Sequence, residues 1–185
     1  MNVNLIYAKS ANNVIGYEGK MPWHIPEDLA YFSRVTNEDL VIMGSRTWRS
    51  LPERAKPLPN RLNLVVTTDA TLAPEVLSKG GIVFCDQDRT DIKKVIRHFR
   101  DAGYYSNVWI IGGSVLFDQA LPYAHYSYVT EIEAEYPGDT FAPVLDPSSW
   151  IKISNKRAIS QVGVMLNFCI YENQHPLDVD RIYVD

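Results

Sequence analysis

Short apolar runs, separated by polar stretches punctuated with glycine and proline, set the rhythm of the chain. Residues 3–8, 40–43, 62–66, 82–85 and 108–111 are largely apolar and too short for helices, which predicts buried strands. Between them the period changes. Ile92, Val95, Ile96 and Phe99 share one helical face over residues 91–102, and Gly103 supplies the stop. Residues 115–121 predict another helix closed by Pro122, and residues 46–50 a short one. Residues 126–132 and 165–171 read as late strands, the second pairing with residues 150–159 as a hairpin around Gly163. Strands alternating with helices predict an α/β domain with a mostly parallel central sheet of about eight strands and about four helices. The late strands follow one another without helices, which predicts an antiparallel C-terminal edge. One domain spans residues 1–172, with a polar, peripheral tail at 173–185.

The helix predicted over residues 26–36 carries an anomaly. Pro26 suits the first helical position, and Asp28 falls in the first turn, where the helix dipole favours an anion. Tyr31, Phe32 and Val35 follow Asp28 at i+3, i+4 and i+7, so the acid lies on an apolar stripe. Glu27 is offset by one position and should lean toward solvent. A carboxylate on a buried face is costly without a partner, and no basic residue shares that stripe nearby. Its partner is then a ligand; the alternative is a dipole-friendly acid at the edge of the core.

Composition narrows the class. With 185 residues, 46% of them hydrophobic and 22% charged, the chain has enough material for one well-filled soluble domain. A net charge of -4 argues against a general nucleic-acid or anionic-membrane surface. Cys85 and Cys169 read as buried, reduced small hydrophobes, which together with the lack of a signal or membrane span suggests the cytoplasm. The four histidines show no metal-ligand spacing.

Chemistry-bearing residues gather at the ends of predicted strands. Gly112, Gly113 and Ser114 follow one strand and open a helix, an arrangement that lets backbone approach a phosphate. Gly44, Ser45, Arg46 and Thr47 repeat it with an added cation, and Thr67 and Thr68 end a third strand. In open parallel sheets ligands sit beyond the carboxyl ends of strands, so the three together suggest a phosphate-bearing cofactor. Each alone is also ordinary loop polarity, and neither of the standard nucleotide motifs is present. Arg61 follows a proline-rich loop in which Asn60 can take a positive φ, and its fork could grip a carboxylate; a plain surface arginine is the other reading.

In this order and spacing the pieces resemble the dihydrofolate reductase family. The matching residues are Val14, Ile15 and Gly16; Met21, Pro22 and Trp23 with Pro26, Asp28, Leu29 and Phe32; Val41, Ile42, Met43 and Gly44 with Thr47, Trp48 and Ser50; Pro57, Leu58 and Pro59 with Arg61 and Asn63; Ile110, Ile111, Gly112 and Gly113; and Gly138, Asp139 and Thr140. The resemblance implies NADPH-dependent reduction of 7,8-dihydrofolate to tetrahydrofolate, in support of one-carbon metabolism, by a monomer. It implies that Asp28 binds the pterin and that Trp23 lies near the water delivering the proton. Ile6, Ala8, Leu29, Phe32, Ser50, Leu51, Leu58, Ile111 and Thr130 would line the substrate pocket, with Arg61 on the glutamate tail. A mobile loop at residues 15–20, with Met21, would cover the nicotinamide. The cofactor would meet Ala8, Ile15, Gly16, Met21, Gly44, Ser45, Arg46, Thr47, Thr67, Thr68, Gly112, Gly113, Ser114, Val115, Leu116 and Phe117.

The chain departs from the family pattern at several points. Ser45 and Val115 stand where relatives often carry basic residues, and Phe117 where tyrosine is common. Residues 53–56 lengthen the loop before Arg61. Arg46 should then read the 2′-phosphate, with Arg89 the next candidate. Two rivals share the cofactor edge: a reductase of a pyrimidine or riboflavin-pathway intermediate, and a catalytically silent binding module. The first has no reason to keep Asp28 with Arg61, and the second no reason to keep the set intact.

Overall fold

The computed structural model describes residues 1–86 and 91–180. In chain order its elements are β1 (Asn2–Ser10), β2 (Val14–Gly16), α1 (Pro26–Val35), β3 (Leu40–Gly44), α2 (Ser45–Ser50), β4 (Leu62–Thr67), α3 (Ala73–Ser78) and β5 (Ile82–Cys85). Then follow α4 (Ile92–Ala102), β6 (Asn107–Gly112), α5 (Ser114–Ala120), β7 (Tyr126–Ile132), β8 (Thr140–Phe141), β9 (Trp150–Ile159) and β10 (Met165–Asn173). Eight strands form one sheet in the order β5-β4-β3-β6-β1-β7-β10-β9, and β2 pairs with β8 in a small separate ladder. Pairing is parallel from β5 through β7 and antiparallel at β10 and β9, as the pattern predicts.

Alternation along the central strands sorts the core into two layers. Val3, Leu5, Leu40, Ile42, Leu64, Val66, Val108 and Ile110 face one side, where Val95 and Ile96 of α4 and Leu116 and Phe117 of α5 cover them. Ile6, Val41, Met43, Val65 and Trp109 face the other, under Trp48 of α2 and Val76 of α3, with Phe32 and Val35 of α1 packed alongside. A sheet buried on both faces explains why these strands read as continuous apolar runs. The order also places the reversal of winding at β3, β6 and β1, so the crevice beyond their carboxyl ends is the natural ligand site.

Four expectations change. The described residues hold five α-helices, the addition being α3, whose six residues are too few to show a helical period. The β2–β8 ladder was hidden for the same reason. Cys85 is exposed at the end of edge strand β5, while Cys169 is buried; one apolar run does not reveal which end reaches solvent. The described part of the tail, residues 173–180, is not peripheral. Val179 is 6% exposed and joins the core, Arg97 Nη2 donates to its carbonyl at 2.7 Å, and Arg100 pairs with Asp178 and Asp180. Val179 between Asp178 and Asp180 gives no periodic signal, yet two arginines of α4 hold it down.

Candidate active site

Helix α1 places the acid. Pro26 opens it, and Thr36 closes it by turning both its N–H and its hydroxyl onto the Phe32 carbonyl, at 3.1 and 2.9 Å. Asp28 is its buried residue. Burial pushes its carboxyl above the ordinary aspartate range, and a hydrogen bond from Thr130 draws it part of the way back. Thr130 lies beside Ala8 in the β1–β7 register, two residues from the Ile6–Tyr128 pair. Asp28 therefore stands over the wall built by β1 and β7. No cation among the described residues pairs with it. Glu27, expected to lean to solvent, is half-buried and accepts the Gln161 N–H at 2.6 Å, tying α1 to the β9–β10 turn.

The apolar residues named for the substrate converge. Ile6 and Leu58 are buried in one cluster, with Phe32, Leu51 and Ile111 packed against it. Ala8 joins Trp23 and Ile25 in the adjoining cluster. Leu29 is 40% exposed and faces outward at the rim. Ser50 donates its hydroxyl to the Thr47 carbonyl at 2.7 Å, so that its donor closes α2. Trp23 is buried against Tyr136, ring edge to face at 5.2 Å, and its Nε1–H has no partner among the described residues. An orphaned buried donor of this kind suits a bound water.

Arg61 is held by its own surroundings. Nε donates to the Pro59 carbonyl at 2.8 Å, Nη1 donates to Thr36 Oγ1 at 3.1 Å, and the guanidinium lies 5.7 Å from the Phe32 ring centre. Asn63, on β4, shapes the loop that presents it. Its side chain takes the Leu58 N–H at 2.8 Å and gives to the carbonyls of Leu58 and Arg61 at 2.9 and 3.1 Å. Asn60 sits at φ 57°, the positive value anticipated for that turn. Arg61 thus reaches the rim pre-oriented, with no carboxylate among the described residues in salt-bridge range.

The second half of the crevice is made of backbone. A Cβ placed on Gly44 would lie 3.6 Å from the Gly113 nitrogen, and one on Gly112 would lie 3.0 Å from Thr47 Oγ1. Two strand ends and the start of α2 meet here; at Gly112 a side chain would crowd Thr47, and its φ of 131°, with a cis peptide to Gly113, favours glycine. This cradle fits a dinucleotide whose phosphates need close backbone approach. Ser114 and Ser45 are half-buried beside it, Val115 is exposed, and Arg46 and Thr68 are exposed at the outer end. Thr67 is buried and its hydroxyl accepts the Asp69 N–H at 3.0 Å, which leaves Thr68 as the outward-facing hydroxyl of that pair. Leu116 and Phe117 turn their side chains into the core, so only their backbone faces the cradle. Arg89 lies outside the described residues.

Residues 15–20 form a tight hairpin. Tyr17 and Lys20 exchange backbone hydrogen bonds at 2.8 and 3.0 Å across Glu18 and Gly19, both at positive φ. Ile15 and Gly16 belong to β2, and Met21 is exposed just after the hairpin. Asp139 tethers it by accepting the Glu18 N–H at 2.9 Å and giving its own N–H to the Gly16 carbonyl at 3.1 Å. The sequence marked Asp139 as part of a motif without a task; its role depends on a contact 121 residues away.

Comparison with known proteins agrees with this geometry. The dihydrofolate reductase family profile matches residues 2–173. Among curated relatives, the dihydrofolate reductase of Mycobacterium tuberculosis H37Rv is 34% identical over 172 residues, covering 91% of this chain and 96% of the relative. That of Haemophilus influenzae is 37% identical over 150 residues, covering 81% and 84%. A solved structure of dihydrofolate reductase from Enterococcus faecalis, complexed with NADP(H), superposes with a TM-score of 0.76 at 29% identity, covering 93% of this chain and 96% of that one.

Proposed function

The chain belongs to the dihydrofolate reductase family and catalyses NADPH-dependent reduction of 7,8-dihydrofolate to 5,6,7,8-tetrahydrofolate; we propose that Asp28 is the acid on which the reaction turns. The observation that carries this reading is a buried carboxylate with a raised pKa, facing an apolar crevice and lacking a cationic partner among the described residues. The pterin edge offers an N–H and an exocyclic NH₂ side by side, and a carboxylate is the two-acceptor fork that matches them.

Bound NADPH supplies the hydride that C6 receives. The chain's own residues hold and polarise the substrate. Asp28 fixes the pterin edge and favours the protonated ring, while Thr130 orients the carboxyl. Trp23 Nε1–H offers a donor to the water that brings the proton to N5. Ile6, Phe32, Leu51, Leu58 and Ile111 exclude bulk water around the ring, and the free end of the Arg61 fork takes the glutamate carboxylate. Gly44, Thr47, Gly112 and Gly113 form the cradle for the cofactor, with Arg46 and Thr68 reading its 2′-phosphate. The proposed working unit is a monomer, as the family resemblance implies. Two free cysteines support a reducing, cytoplasmic setting.

The test is consumption of NADPH on addition of dihydrofolate by the wild type and by Asp28→Asn. The substitution keeps shape and removes charge, so kcat/KM falls by at least about a hundredfold at neutral pH. The deficit shrinks in acid, where substrate arrives already protonated. Near-normal neutral turnover in the variant removes Asp28 from the mechanism.

A further inference from the structure

The outer end of the cofactor crevice contains an acid that the reading above leaves unused. Asp69 directly follows Thr68, and β3 and β4 run parallel with Gly44 beside Val66, so the residues after both strands lie side by side. Asp69 is therefore at the rim where a dianion is expected, and an unpaired carboxylate there would repel it. It is not unpaired. Arg49, one helical turn beyond Arg46 on α2, places Nη2 2.6 Å from Asp69 Oδ2. The other oxygen, Oδ1, accepts the Thr71 N–H at 3.0 Å and the Thr71 hydroxyl.

We propose that Arg49 sets the preference for NADPH over NADH by neutralising Asp69 at the rim of the 2′-phosphate site. Arg49 is a positioning residue in this role, since it acts through Asp69. The inference rests on the assignment of Arg46 and Thr68 to the 2′-phosphate. Its logic is electrostatic. Exposed ion pairs contribute little to folding because water screens both partners in either state. Removing only the cation, however, uncovers a negative charge beside a ligand group carrying nearly two, and NADH lacks that group. Discrimination thus depends on the pair even where stability hardly does.

The experiment measures dissociation constants of NADPH and NADH, without folate, for wild type, Arg46→Ala, Arg49→Ala, Asp69→Asn and the Arg49→Ala/Asp69→Asn double variant, at low and high salt. The Arg49 and Asp69 side chains are 51% and 37% exposed, so neither substitution opens the core. Arg49→Ala weakens NADPH about fivefold and leaves NADH within about twofold. Adding Asp69→Asn to it returns NADPH to within about twofold of wild type, and Asp69→Asn alone tightens NADPH by releasing Arg49 to the phosphate. The differences contract at high salt. Equal losses for both cofactors, or no recovery in the double variant, overturn the proposal and leave Arg49 a structural strut. If Arg46→Ala itself fails to discriminate between the cofactors, the underlying 2′-phosphate assignment falls instead.

Discussion

Replacing Arg61 with alanine separates the two halves of the substrate. An arginine has five N–H donors, and here Nε is committed to Pro59 and one Nη1 hydrogen to Thr36. Three N–H donors, one on Nη1 and two on Nη2, are left for a carboxylate. The expected grip is made through Nη2. Hydrogen bonds to charged groups contribute about 1.5–3 kcal/mol. The half-buried position and the bonds that already hold the side chain place this one toward the upper half of that range, because little side-chain entropy remains to be lost. The loss for dihydrofolate is then about fortyfold to about 150-fold in kcat/KM. A pterin substrate without the glutamate never meets the fork, so it reports only the indirect cost of freeing the loop and uncovering Phe32. Steady-state kinetics with both substrates, for Arg61→Ala and Arg61→Lys, decide the matter; lysine keeps the charge but not the fork and recovers only part of the loss. Equal losses for the two substrates would show that Arg61 acts by shaping the loop, and the carboxylate assignment would fail.

The remaining predictions concern acid, loop and tail. Asp28 has a raised pKa in the folded state, so between the unfolded and folded values the native protein binds more protons and stability falls as pH rises through that window. Asp28→Asn therefore raises Tm at neutral pH and loses this advantage below the unfolded aspartate range; a variant no more stable than wild type at pH 7 refutes the assignment of desolvation as the cause. Asp139→Ala releases the Glu18 amide, so hydrogen exchange across residues 15–20 accelerates, and saturating cofactor with a folate analogue slows it again; exchange unchanged by either shows a static loop. Val179→Ala removes two buried methyl groups and lowers stability by about 1–3 kcal/mol in denaturant unfolding, whereas a free tail gives no change.

Much of this protein is decided locally. Continuous apolar runs are enough to place β3 and β4, because a strand buried on both faces needs little else. Pro26 at the start of α1 and Gly103 at φ 70° after α4 are terminators whose effect depends only on their own backbone. Asp28 stood out for the same reason: an acid on an apolar stripe conflicts with its surroundings at a spacing fixed by the helix, and such conflicts mark sites. What local pattern could not carry was decided by contacts between distant segments. Glycines 44, 112 and 113 become one cradle only when β3 and β6 pair, and Asp139 gains its task only when β8 meets β2. Thr67 and Thr68 look alike along the chain, yet the turn into Asp69 buries one and exposes the other. Cys85 reads like the buried strand residues before it, but β5 lies at the sheet edge, and edge position belongs to topology. Val179 is flanked by Asp178 and Asp180, and the arginines of α4, distant in sequence, help give that stretch a place to bind. Side-chain periodicity is a property of neighbours in sequence, whereas charge compensation and close backbone approach are properties of neighbours in space.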